Sequence, residues 1–114
     1  MTYITLTDTT FREAIESDQY VLVEFFAEWS GAHHIMAPGL AEMDEKYRSR
    51  VRFFRIDVDR HKEVAKQYGV QNVPTILLFK DGQAVDQIVG VVPRTFVAQK
   101  LDALLGLETL SVDC

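Results

Sequence analysis

The sequence predicts an α/β fold in three layers: a mixed sheet of about five strands, with about four helices on its two faces. Three observations carry that prediction. Strand-like and helix-like stretches alternate along the chain, the pattern that builds parallel strands joined by crossover helices. The run Val21-Leu22-Val23-Glu24-Phe25-Phe26-Ala27 is almost continuously apolar, as a central strand covered on both faces should be. Asp81-Gly82 joins two further strand-like runs through a dipeptide favoured in tight hairpins, which adds an antiparallel edge.

Taken in order, Tyr3 to Leu6 alternates and predicts a short first strand. Thr7 or Asp8 can cap a helix running to about Ser17, with Phe11, Ala14 and Ile15 on one face. Tyr20 to Ala27 is the central strand, interrupted by one acid, Glu24. A long helix follows from about Gly31 or Ala32 to Tyr47, with Ile35, Met36, Leu40, Met43 and Tyr47 in its apolar pattern. Pro38 lies inside it and predicts a kink near Ala37, because proline removes a backbone donor and crowds the preceding turn. Val51 to Val58 is the next strand. Asp59 can cap a short helix from about Arg60 to Tyr68, with Gly69 as its stop. Ile76 to Lys80 and Gln83 to Val89 flank the hairpin, and Pro93 suits the first turn of a last helix ending near Leu105.

The 114 residues suit one domain, placed at 1–105 with Gly106–Cys114 as a tail. The net charge of −5, from 17 acidic and 12 basic residues, argues against a general nucleic-acid or anionic-membrane binder, which needs a basic surface. The N-terminal stretch lacks the basic and apolar regions of a secretion signal, and no run approaches the ~20 apolar residues of a membrane span. The expectation is a cytoplasmic protein, monomeric or weakly dimeric. Cys114, the one cysteine, cannot form an internal disulfide.

The chemistry-bearing segment is Trp29-Ser30-Gly31-Ala32-His33, at the end of the central strand run. With Val23 to Trp29 before it, Ala37-Pro38 within the following helix, Arg55-Ile56-Asp57-Val58-Asp59, Tyr68 to Gly82 and Val89-Gly90, the chain resembles thioredoxin from about Tyr3 to Leu105. The resemblance implies the thioredoxin fold and a cis peptide at Val73-Pro74 facing the active-site loop. It also implies a groove, lined here by Trp29, Gly31, Ala32, Val73, Pro74, Gly90 and Val91, across which an extended polypeptide lies by a form of strand addition. The family's place is in cell redox homeostasis. Its segment reads Trp-Cys-Gly-Pro-Cys, in which the first cysteine attacks and the second resolves. Here Ser30 and His33 hold those positions, Ala32 replaces the proline, and Glu24 stands for the family's buried aspartate.

Disulfide exchange requires a thiolate attacking sulfur, and a serine hydroxyl is a poor nucleophile toward sulfur. Dithiol oxidoreductase activity is therefore not expected at Ser30 and His33. Glu24 is expected to be a buried carboxylate satisfied by a nearby Lys, Arg or water, with no partner for the family's proton exchange. A Ser30–His33–Glu24 nucleophilic arrangement is a competing reading, but no oxyanion hole is visible and Ser30 is equally placed to cap the helix. Metal binding through His33, His34 and His61 is disfavoured. Adjacent helical residues point about 100° apart, and zinc wants three or four convergent ligands. His34 reads as a solvated replacement for a lysine, and His61 as an exposed helix start.

The leading expectation is a redox-inactive thioredoxin-like protein that binds a protein or peptide through the former substrate groove, with no cofactor or metal. Trp29, Ala32, Val73, Pro74 and Val91 would supply an apolar contact patch. The alternatives are a disulfide oxidoreductase family member whose cysteines were replaced by divergence or engineering, and a single-thiol redox or dimerisation role for Cys114.

Overall fold

The computed structural model describes residues 3–106. Its strands are β1 (Ile4–Leu6), β2 (Tyr20–Phe26), β3 (Arg52–Asp57), β4 (Thr75–Lys80) and β5 (Gln83–Val89). Its helices are α1 (Phe11–Ile15), α2 (Gly31–Tyr47), α3 (Lys62–Gln67) and α4 (Arg94–Leu105). One five-stranded sheet runs β1-β3-β2-β4-β5. β1, β3 and β2 are parallel, while β4 is antiparallel to both β2 and β5. The fold class read from the sequence is therefore the one observed.

Strand alternation decides what β2 offers to each face. Val21, Val23 and Phe25 enter one core with Phe11, Ile15, Phe54, Ile56, Leu77 and Phe79. Leu22 points the other way, into a core built with Met36, Leu40, Phe53, Ile76, Val97 and Leu101. Glu24 and Phe26 share that second face by the same period of two, which puts the lone acid of the strand beneath α2.

The turn chemistry behaves as the residues dictate at the hairpin. Asp81 and Gly82 both have positive φ, 53° and 79°, as a tight turn twisted to match its strands requires. Two capping expectations need correction. Thr7 caps only the turn before α1: its hydroxyl accepts from Thr10 N–H at 3.2 Å, while Thr10's hydroxyl accepts from Thr7 N–H at 2.9 Å. Asp8 instead accepts from the Val64 N–H at 3.1 Å, so the first turn of α3 is capped from a residue far away in sequence. That leaves Asp59 unused as a cap, and α3 begins at Lys62, after His61, rather than near Arg60. α1 ends at Ile15, short of Ser17, whose hydroxyl turns back to the Ala14 carbonyl at 2.6 Å. Pro38 lies within a continuous α2. Gly106, with φ of 77°, closes α4 in the left-handed conformation that favours glycine. The residues of the expected tail after Gly106, Cys114 included, lie outside those described. Among the described residues, no helix is long and apolar enough to cross a membrane.

Candidate functional site

Ser30 is the N-cap of α2, with extended backbone and its Oγ accepting the His33 N–H at 3.2 Å. A serine at this position satisfies one of the free donors of the first helical turn. The serine is buried, and this cap is the bond its hydroxyl makes. The first turn also carries Gly31 and Ala32, exposed and half-buried.

His33 turns inward. Its side chain is 4% exposed, and its Nδ1 lies 2.6 Å from Glu24 Oε2. Glu24 itself is fully buried. A carboxylate only accepts, so the imidazole Nδ1–H is the donor in this bond. The second oxygen, Oε1, accepts the Tyr3 hydroxyl at 3.1 Å. Both carboxylate oxygens are thus served, as burial of such a group demands. Phe26 stacks on the imidazole, with ring centroids 4.7 Å apart and planes at 26°.

The expected partners of Glu24 were Lys, Arg or water. Arg55 does pair with Glu24 in register across β2 and β3. Its guanidinium nevertheless goes elsewhere, 4.1 Å over the Phe26 ring and 3.6 Å from Glu28 Oε1. The reason is geometric: His33 descends from α2 directly onto the carboxylate and fills the space between helix and sheet. So Glu24 has a partner after all, and that partner is His33, the residue the sequence reading sets in place of the family's second cysteine. The nucleophilic triad fails on the same geometry. His33's ring is committed to Glu24, but Ser30 Oγ meets the His33 backbone rather than its ring.

Tyr3 was read only as part of a strand, and the sequence holds no signal for its role. Burial, then the adjacent Glu24 charge, push its hydroxyl well above the ordinary tyrosine range. Tyr47 behaves similarly. Burial, then its 2.7 Å bond to Asp102 Oδ1, push it up to about 12. Above the free tyrosine value of about 10, the unfolded chain releases these protons while the folded chain keeps them. Stability is therefore fully present below that pH and falls as pH rises through 10. Urea midpoints measured upward from neutral pH should show this decline, and Tyr47→Phe should make it shallower by the one proton lost between about 10 and 12. An unchanged slope in the variant would refute the assignment.

The groove residues are only partly brought together. The Val73–Pro74 bond is cis, and the Pro74 carbonyl accepts the Gly90 N–H at 2.8 Å. That bond holds Gly90 and Val91 beside the Val73–Pro74 loop. Pro74 itself is buried and so adds little to an apolar patch, a correction to the expected lining. Val91 is exposed and faces α2 across an open cleft of about 460 Å³, which is also lined by Ile35, Met36, Pro38, Gly39, Val92, Pro93 and the charged Arg94. Ile35, expected in the helix's apolar pattern, is in fact 71% exposed at this cleft. Trp29 is 72% exposed, and its indole N–H donates to Asp59 Oδ2 at 2.7 Å. Asp59 thus anchors Trp29 to the loop between β3 and α3. His34 donates from Nε2 to the Glu28 carbonyl at 2.8 Å, and His61 is half-buried against Asp8 rather than exposed. The described residues contain no group of three or more His, Cys, Asp or Glu that could hold a metal ion.

The sequence family model for thioredoxin matches residues 2–103. The chain belongs to the thioredoxin family. It is 40% identical over 98 residues to thioredoxin 1 of Nostoc sp., covering 85% of this chain and 92% of that one. It is 43% identical over 98 residues to thioredoxin 1 of Synechococcus elongatus, with the same coverage of 85% and 92%. Among solved structures it matches a chain from work on the thiol resolving mechanism of yeast mitochondrial 1-Cys peroxiredoxin via the glutathione/thioredoxin systems. That match has a TM-score of 0.83 at 32% identity and covers 90% of this chain and 95% of the other. The thioredoxin fold is thus shared over nearly the whole described chain, and the sequence holds one cysteine, Cys114.

Proposed function

We propose that this thioredoxin family member is redox-inactive at Ser30 and His33 and acts in the cytoplasm as a polypeptide-binding module, a chaperone, adaptor or assembly factor, through the groove beside Trp29. The observation that carries this reading is the Glu24–His33 bond of 2.6 Å beneath the Ser30 cap. It holds the first turn of α2 against β2 without any sulfur, so the rim of the groove keeps its support while the exchange chemistry has no nucleophile. The cleft between Ile35 and Val91 offers apolar contact, and the loop at Val73–Pro74 offers backbone for an added strand.

Names of relatives alone fit a disulfide oxidoreductase equally, so the test must separate the two. Insulin reduction by dithiothreitol should run at its uncatalysed rate in the presence of the protein. Polypeptides retained from native cytosol on immobilised protein should be depleted several-fold by Trp29→Ala, as removal of an interface tryptophan commonly costs about 2 kcal/mol or more. Catalysed insulin reduction would overturn the reading, and capture indifferent to Trp29 would move the binding site elsewhere.

A further inference from the structure

Trp29 combines two properties that favour a cation. Among the described residues it is, with Ile35, one of the two most exposed large apolar residues, and its N–H is tied to a carboxylate. The tie to Asp59 fixes the indole and sets a negative charge at its edge. Donation to an anion also enriches the π face, where cations bind, and tryptophan is the best acceptor of all the aromatic side chains.

Four of the protein's own cations stand over other rings. Arg55 lies 4.1 Å over Phe26 and Arg52 5.5 Å over Phe54. Lys46 and Lys100 each stand 5.6 Å from Tyr47 and Phe96. Among the described residues, no Lys or Arg lies over Trp29. Arg60, the neighbour of Asp59, faces Asp57 at 3.8 Å instead. Glu28, the sequence neighbour of Trp29, is paired with Arg55 at 3.6 Å, and the net charge of −5 favours a positive ligand.

We propose that the polypeptide held in the groove presents a lysine or arginine whose cation seats on the exposed face of Trp29, beside the carboxylate of Asp59. The inference rests on the groove reading above and names the partner's chemistry. The cleft at Ile35 and Val91 takes the apolar part of the same segment.

The test uses a library of acetylated, amidated decapeptides with a fixed Val-Ile-Val core and all other positions randomised, captured on the immobilised protein. Lys and Arg should be enriched about three- to tenfold at one fixed position outside the core, the gain expected from one cation–π contact and one exposed ion pair together. Trp29→Leu, which keeps an apolar side chain there, should abolish the enrichment, and Asp59→Asn, which keeps an acceptor for the indole, should reduce it. Capture without basic enrichment, or enrichment surviving in Trp29→Leu, overturns this inference and leaves the groove reading standing. No capture above a blank surface overturns both.

Discussion

His33→Phe should lower the free energy of unfolding by about 3–5 kcal/mol, the usual cost of stranding one partner of a buried pair. Phenylalanine keeps an aromatic ring on Phe26, where the imidazole now stacks at 4.7 Å. The loss then reports on Glu24, which would keep only the Tyr3 hydroxyl at 3.1 Å. A fully buried carboxylate with one oxygen unserved carries most of its desolvation cost. Urea denaturation followed by tryptophan fluorescence measures the effect, since Trp29 is the single tryptophan of the chain. Glu24→Gln should cost less, because an amide still accepts from His33. Removing both members, with Glu24→Leu added to His33→Phe, should recover much of the loss by replacing the pair with apolar packing. A loss below about 1 kcal/mol in the single variant would reduce the contact to the worth of a surface ion pair.

The double replacement Ser30→Cys with His33→Cys should raise insulin-reducing activity well above that of the parent. The thiol at position 30 would sit at the N-cap of α2, where the helix dipole favours an anion. Such sites lower a cysteine pKa from about 8.5 to 7.5 or below, raising the thiolate fraction at neutral pH roughly tenfold. The thiol at position 33 would lie over Glu24, the geometry in which an acid can exchange a proton with a resolving cysteine. Ser30→Cys alone should form mixed disulfides yet fail to turn over, because nothing resolves them. Turnover by the parent protein would overturn the redox-inactive reading, and a folded double variant without activity would show that the missing chemistry depends on more than these two positions.

How legible the molecule was follows the range of the interactions involved. Each strand and helix was read within a few residues, because apolar periodicity and turn dipeptides such as Asp81-Gly82 are local. The family was legible through many such local segments in order. The site was legible as a set of positions: Glu24, Ser30 and His33 were picked out, and Ser30 as a cap follows from neighbours in the chain. Its wiring was not. Asp8 and Asp59 illustrate why. Both were read as helix caps for the residues just after them. Asp8 caps α3 across the fold, while Asp59 holds Trp29. An aspartate announces that it will accept a hydrogen bond, but only the packed chain says whose.

By itself, then, the sequence determined the layered α/β fold, the absence of any pair of cysteines, and which strand face Glu24 must occupy. Those follow from composition, from a period of two and from covalent chemistry, none of which needs a neighbour in space. Only the tertiary structure decided that His33, rather than Arg55, answers Glu24, that Tyr3 completes the carboxylate, and that Trp29 is displayed with its edge tied to Asp59. The reason is that a buried polar group takes the donor that packing delivers to it, and delivery depends on how α2 descends onto β2. Register alone would have chosen the arginine. The helix, arriving from above with an imidazole already aimed inward, chose the histidine.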